Sequence, residues 1–336
     1  MTNDRKSSGL FHVLKAQQFD RTILDTLSEL ATEIRMVAKT PEGLNFLRNL
    51  LSHKRVMLYF TQPSTRTFLS FENACHILGI QTSDIRETAI SSELKGETRE
   101  DALRTFSSYV DMIIMRTVKE GLAADTARHL DETDRPVPII NAGSGRDQHP
   151  TQALLDIYTL HRSFMERGGI DGKTIAMVGD LNRGRTVRSL CYLMKNYSDV
   201  NLVFVSPEAF RMRDDLKGFL RNRSINFTEH DKLEDVIPEV DAVYMTRIQD
   251  EYDTDGESGS IDLDHFTFHL RFLEMLKPDA IIMHPMPRRD EIDRRVDLDP
   301  RAMYWRQARN GMWTRAAIVA TIFDVDQEIK ERFRNQ

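Results

Sequence analysis

Residues 174–190 read TIAMVGDLNRGRTVRSL. Thr174 to Val178 is an apolar run of strand length, Gly179 opens a turn, and a helical stretch follows. A strand that passes through a glycine turn into a helix is the repeating unit of a parallel sheet, because the chain must cross the sheet before its next strand can run the same way. The unit recurs downstream, where strands are expected at 201–205, 242–245 and 280–283. It recurs upstream, with strands expected at 55–60, 112–115 and 137–140 and helices at 22–37 and 68–79. Further helices begin at Thr98, where Asp101 three residues on completes a capping-box pattern, and at Pro150. A last helix is expected over 314–333, and the acidic, aperiodic stretch 250–260 reads as a surface loop. Two alternating blocks joined near Pro150 make an α/β chain with two doubly wound parallel-sheet domains.

Composition narrows the function classes. The chain has 336 residues, 40% hydrophobic and 29% charged, a globular balance with no run of the ~20 apolar residues that a membrane helix needs. Its net charge of −6 argues against general nucleic-acid affinity and makes any local cluster of arginines more informative. The two cysteines, Cys75 and Cys191, sit in apolar helical patterns and read as buried thiols in a reducing cytoplasm. The opening residues carry no apolar core of a secretory signal, so the expected location is cytoplasmic.

Anion chemistry collects at predicted strand exits. Ser64, Thr65, Arg66 and Thr67 lie between a strand and a helix, where free N–H groups and the helix dipole suit a phosphate. Plain N-capping would account for one hydroxyl, not for three with an arginine among them. Arg116 directly follows the run MIIM, a place where open α/β sheets bind ligands and where an ordinary surface arginine can also stand. His149 precedes Pro150 at a helix start; it either caps and packs, or offers a neutral ring that donates a hydrogen bond to a carbonyl oxygen. Ser91 and Lys95 belong to a polar loop that reads as a solvated connection or as a reach toward an anion on its own or a neighbouring chain.

The second block repeats the pattern. The turn after Val178 lacks the spacing of a dinucleotide fingerprint, with Asp180 and Leu181 where glycine would be wanted, which disfavours a nicotinamide oxidoreductase. Arg185 there, and Arg247 with Gln249 after the next strand but one, point instead to a small carboxylate gripped by planar guanidinium groups. His284-Pro285-Met286-Pro287 ends another strand in a proline-stiffened loop with carbonyls available to accept hydrogen bonds. Arg66, Arg116, Arg185 and Arg247 thus choose the same kind of edge in two separate blocks, as a multiply charged anionic ligand would require.

The strings PSTRTFLSFE, SSELKGET, MRTVKEG, NAGSGRDQHPTQALLD, VGDLNRGRTVRSL, YMTRIQ, HPMPRRDEI and DPRAMYWRQARNGMWTRAAIVAT occur in this order. Together they resemble the catalytic chain of the aspartate carbamoyltransferase family. The resemblance implies a carbamoyl-phosphate domain, 1–150 completed by 313–336, and an aspartate domain, 151–312, with the active site in the cleft between them. It implies that Ser64, Thr65, Arg66, Thr67 and Arg116 hold the phosphate. Thr67, Arg116 and His149 would polarise the carbamoyl oxygen, and Gln152 would bind the carbamoyl amide. Arg185, Arg247 and Gln249 would take the carboxylates of aspartate, and the backbone at Met286 and Pro287 would orient the amines. Ser91 and Lys95 look like residues lent to a neighbouring subunit, Lys95 toward aspartate, in a homotrimer with shared sites. No metal or cofactor is implied.

Two positions depart from the family pattern. Phe68 stands where arginine is usual, which predicts altered packing rather than lost activity. Asp250, Glu251, Tyr252 and Asp253 follow Gln249 where basic residues are common, which predicts weaker attraction for a dianionic substrate. HPMP in place of HCLP, and the lack of an SMG loop, separate the chain from ornithine enzymes. A transcarbamylase with another amine acceptor and a catalytically impaired scaffold homologue are the alternatives.

Overall fold

The protein is described here as a computed structural model covering residues 9–86, 97–145, 148–250 and 262–336. Helices α1 (Arg21–Val37) and α2 (Pro41–Leu50) lead into β1 (Arg55–Phe60), α3 (Thr65–Ile77), β2 (Gln81–Ile85), α4 (Arg99–Ser107) and β3 (Met112–Thr117). Then come α5 (Leu122–Asp131), β4 (Ile139–Ser144), α6 (Pro150–Phe164), β5 (Thr174–Val178), α7 (Arg185–Leu193) and β6 (Asn201–Val205). The chain continues through α8 (Asp214–Asn222), β7 (Asn226–His230), β8 (Ala242–Met245), α9 (Phe272–Met275) and β9 (Ile281–Met283), ending in α10 (Tyr304–Ile322) and α11 (Asp326–Arg334). No helix among the described residues is long and apolar enough to cross a membrane.

The chain forms two compact units, Met1–Leu155 with Gly311–Gln336, and Asp156–Asn310. It passes between them inside α6 and again inside α10. The first unit holds a four-stranded sheet in the order β2-β1-β3-β4, the second a five-stranded sheet in the order β7-β6-β5-β8-β9. Every pairing in both sheets is parallel. Strand order reverses once in each sheet, between β1 and β3 and between β5 and β8. At such a switch point the two following loops diverge to opposite faces and leave a crevice at the carboxyl ends of the strands.

Each sheet has its own core. Ile113, Met115 and Ile139 pack with Leu122, Ala127 and Leu130 in the first unit. Val178, Val205, Val243 and Met245 pack with Ile237 and Phe272 in the second. Helix α1 shows how local sequence sets an element: the Asp20 carboxylate accepts the Ile23 N–H at 2.9 Å, a cap worth about 1 kcal/mol. Leu24, Leu27, Leu30 and Ile34 recur on one buried face, each contributing roughly 1.5–3 kcal/mol. Thr98 caps α4 by accepting the Asp101 N–H, in agreement with its sequence pattern.

Four elements differ from expectation. Strands β2 and β7 were not anticipated; both are polar edge strands, mostly exposed, and edges carry charge rather than an apolar run. Strand β4 begins later than 137 and runs through Asn141 to Ser144 because Val13 joins its side, with the Asn141 N–H donating to the Val13 carbonyl at 2.7 Å. The C-terminal helix begins at Tyr304, ten residues early, and breaks at Asp324, whose φ of 55° lets the Val325 N–H close back on the Ala320 carbonyl. Cys75 and Cys191 are free and buried, and burial pushes the Cys75 thiol up to about 12.

Candidate functional site

In the first unit the sequence-predicted anion residues gather at the β1/β3 switch point. Phe60 pairs in register with Arg116, and the Gln62 N–H donates to the Arg116 carbonyl at 3.2 Å, so the loop after β1 is tied to the end of β3. Ser64 is the extended N-cap of α3, yet its side chain makes no capping hydrogen bond. Capping therefore does not explain its hydroxyl. Thr65 and Arg66 are exposed on the first turn and Thr67 is buried, beside the positive end of the helix.

Arg116 lies inside β3, one residue deeper than expected, and is buried. The β3–β4 register shifts between Met115 and Thr117, and such an irregularity re-aims a side chain. Its Nη1 donates to the Ala142 carbonyl at 3.1 Å. Gly143 follows with φ of +115°, and a Cβ there would stand 2.7 Å from Arg116 Nη1 and 3.3 Å from His149 Cδ2. Only glycine lets that guanidinium and that ring meet over one patch of backbone. Asn141 holds the patch in place: its Oδ1 accepts the Gly143 N–H at 2.8 Å and the Ser144 hydroxyl at 2.9 Å.

His149 is buried at the start of α6, where its carbonyl accepts the N–H groups of Gln152 and Ala153. The positive end of that helix disfavours an imidazolium. Gln152, also buried, sits on the first turn. Ser91 and Lys95 fall outside the described residues, as does all of the 250–260 loop except Asp250. Phe68, at the departure from the family pattern, is buried edge-on to Phe60 at 5.3 Å between centroids, with the Arg86 guanidinium 3.7 Å above its ring.

The second unit builds a separate crevice at β5/β8. Gly179 has φ of +110°, and a Cβ there would come within 2.2 Å of the Thr246 carbonyl, so glycine permits the two loops to touch. Buried Asp180 laces them together, accepting the Arg183 N–H at 2.9 Å and the Gln249 N–H at 3.2 Å. Arg183 donates to the Gln249 carbonyl at 3.1 Å and lies over Phe210 at 4.8 Å. Arg183 thus serves the scaffold, while Arg185, half-buried, opens α7. Arg247 and Gln249 share the loop after β8, both half-buried, and Arg247 Nη1 donates to the Ile248 carbonyl at 3.0 Å. A cavity of about 220 Å³ is lined there by Arg247, Arg289, Thr246, Thr267, Phe266 and Glu291, among others.

The loop after β9 is pinned by its histidine. His284 Nδ1 accepts the Met286 N–H at 2.8 Å, so the ring proton sits on Nε2 and is donated to Glu291 at 2.6 Å. Burial pushes the His284 pKa down, against the pull of Glu291, and an Nδ1 already bonded to an amide N–H agrees with a neutral ring. Met286 is thereby held at φ of +60°, before a cis Met286-Pro287 bond. Sequence reasoning missed the positioning roles of Asp180, Arg183 and Glu291. An acid placed just past an apolar strand, after the Gly179 turn, was the signal for Asp180; nothing in the sequence pointed to Glu291.

Comparison with known proteins follows these two crevices. Residues 12–162 match the family described as aspartate/ornithine carbamoyltransferase, carbamoyl-P binding domain, and residues 171–322 match its Asp/Orn binding domain. A chloroplastic aspartate carbamoyltransferase 2 of Pisum sativum is 43% identical over 315 residues, 91% of this chain and 77% of the relative. The catalytic subunit of M. jannaschii aspartate transcarbamoylase superposes with a TM-score of 0.80 at 37% identity, covering 94% of this chain and 98% of that one. The Trypanosoma cruzi aspartate transcarbamoylase solved with carbamoyl phosphate and aspartate gives 0.81 at 33% identity, covering 93% and 96%.

Proposed function

We infer the activity from the premise that the chain belongs to the aspartate/ornithine carbamoyltransferase family: it moves the carbamoyl group of carbamoyl phosphate onto the amine of L-aspartate, a step of pyrimidine biosynthesis. The observation that carries this reading is the convergence of Arg116 and His149 over Gly143 beside the α3 N-terminus. Ser64, Thr65, Arg66, Thr67 and Arg116 bind the phosphate. Thr67, Arg116 and His149 donate to the carbamoyl oxygen, and Gln152 takes the carbamoyl amide. Arg185, Arg247 and Gln249 bind the aspartate carboxylates, and the Met286-Pro287 backbone orients the amines.

The neutral amine of aspartate attacks the carbamoyl carbon. The carbonyl electrons move onto oxygen, and on their return the bond to the phosphate oxygen breaks while the amine nitrogen gives up a proton, which leaves on the phosphate. The products are N-carbamoyl-L-aspartate and phosphate, with no change of oxidation state. Donors aimed at the developing oxyanion supply much of the rate, about 3 kcal/mol for one well-placed donor. A neutral His149 serves as such a donor without surrendering its proton.

The chain works, on this reading, as a homotrimer in which Ser91 and Lys95 enter a neighbour's site, a reading supported by its SSELKGET string. Its two buried, free thiols suit the reducing cytoplasm, which fractionation of the native protein tests. The decisive assay offers carbamoyl phosphate with aspartate and, separately, with ornithine, while following phosphate release. Aspartate-dependent turnover is expected. Turnover only with ornithine would transfer the activity to another acceptor. Tight calorimetric binding of a phosphonate bisubstrate analogue without turnover would identify an impaired homologue.

A further inference from the structure

We propose that Asp250 is a built-in competitor for Arg247 and that Arg289 is the side chain that draws it away, so that the two together set how tightly the second unit takes its acceptor amino acid. This rests on the reading of Arg247 as a carboxylate clamp. One carboxylate bridges two guanidinium groups: Asp250 Oδ1 stands 3.7 Å from Arg247 Nη1, and Oδ2 accepts a hydrogen bond from Arg289 Nη1 at 2.7 Å. The contact to Arg247 is longer than a hydrogen bond and the contact to Arg289 is a good one, so Asp250 is already drawn toward Arg289.

Both arginines line the same cavity of about 220 Å³. Among the described residues, the other charges facing it are Asp290 and Glu291, and Glu291 is engaged by His284 Nε2 and by the Arg289 N–H. Arg288, next in sequence, belongs elsewhere, bonded to Asp297 and Tyr304. A carboxylate arriving at Arg247 therefore meets Asp250 as a rival, the acid that pairs with Arg247 among the described residues. With Asp250 shared, two carboxylates crowd one guanidinium; with Asp250 wholly on Arg289, that competition at Arg247 is relieved. The exchange is cheap because Asp250 and Arg289 are about half exposed, at 47% and 54% of their side-chain surface, and exposed ion pairs are weak.

The test is aspartate saturation of the full chain at saturating carbamoyl phosphate. Asp250→Asn removes the rival charge and should lower the KM for aspartate about three- to fivefold, the scale of an exposed ion pair, with kcat little changed. Arg289→Ala should raise KM by releasing Asp250 onto Arg247. In the Asp250→Asn background, however, Arg289→Ala should change little, because there is no charge left to draw away. An unaltered KM in Asp250→Asn overturns the proposal. So does an Arg289→Ala effect that persists undiminished in the double variant, since Arg289 would then act by its own charge. Arg247→Ala in the same assay separates the underlying reading: if it saturates like the wild type, Arg247 is no clamp and both ideas fail. A large KM rise in Arg247→Ala with no shift in Asp250→Asn sinks this inference alone.

Discussion

Gly143 is the residue on which the first unit's chemistry turns. Its α-carbon lies where Arg116 and His149 meet, and its φ of +115° is one that other residues rarely adopt. Gly143→Ala pushes a methyl group to within 2.7 Å of Arg116 Nη1, so the guanidinium must move. Turnover should fall about a hundredfold, the usual penalty for an ångström of misplacement, with a modest loss of thermal stability. Wild-type kcat in a folded Gly143→Ala variant would show that the Arg116–His149 pairing is incidental. His284 bears on stability and pH. Its folded pKa is depressed below the ordinary 6.5 by burial, so the unfolded chain binds the proton that the native site refuses. Stability from this group is full above 6.5 and is lost as pH falls through the lower folded value. His284→Asn removes that slope, so melting curves should show the wild type's advantage shrinking as pH falls below 6.5. An advantage constant with pH would mean that the ring takes up its proton as readily in the native state as in the unfolded chain, so that burial does not depress it.

Among the elements, α3 carries Thr65, Arg66 and Thr67 of the predicted phosphate site and also Phe68, which anchors the helix to β1. Phe68→Ala should cost roughly 3–5 kcal/mol in urea denaturation, as for a fully buried ring. Arg86→Ala, which removes the cation above the ring together with its exposed ion pair to Asp84, should cost about 0.5–1 kcal/mol. Comparable costs would mean that the guanidinium, rather than the packing against Phe60, fixes the helix. The same elements mark what the sequence makes legible. The apolar strands β1, β3, β5, β6, β8 and β9 announce themselves because they are covered on both faces, and the glycine turns between strand and helix mark the switch-point loops. Strands β2 and β7 stay hidden because an edge needs no apolar run. Arg183 and Arg185 stand two apart in one turn, and composition alone does not tell which is the scaffold; the stacking on Phe210 and the bond to the Gln249 carbonyl do. The pairing of Glu291 with His284 spans a proline-rich loop whose path no periodicity encodes.

At the scale of the whole molecule, each unit has its own parallel sheet, core and switch point, and the proposed trimer adds residues from a second chain. That addition has a consequence that one chain cannot mimic. Lys95→Ala and Arg116→Ala chains should each form inactive trimers, for different reasons: one lends nothing to its neighbour, the other lacks its own donor. If sites are shared, a Lys95→Ala chain keeps Arg116 and works whenever the neighbour that serves it is an Arg116→Ala chain. Random 1:1 mixing gives each condition a chance of about one half, so about a quarter of sites should recover in a closed cyclic assembly. The measurement is turnover after the two inactive proteins are dissociated together and reassembled, with each reassembled alone as control. Recovery near a quarter supports a site built across chains. No recovery, in particles of trimer mass that demonstrably contain both chains, places Lys95 outside the neighbour's site and makes each chain self-sufficient.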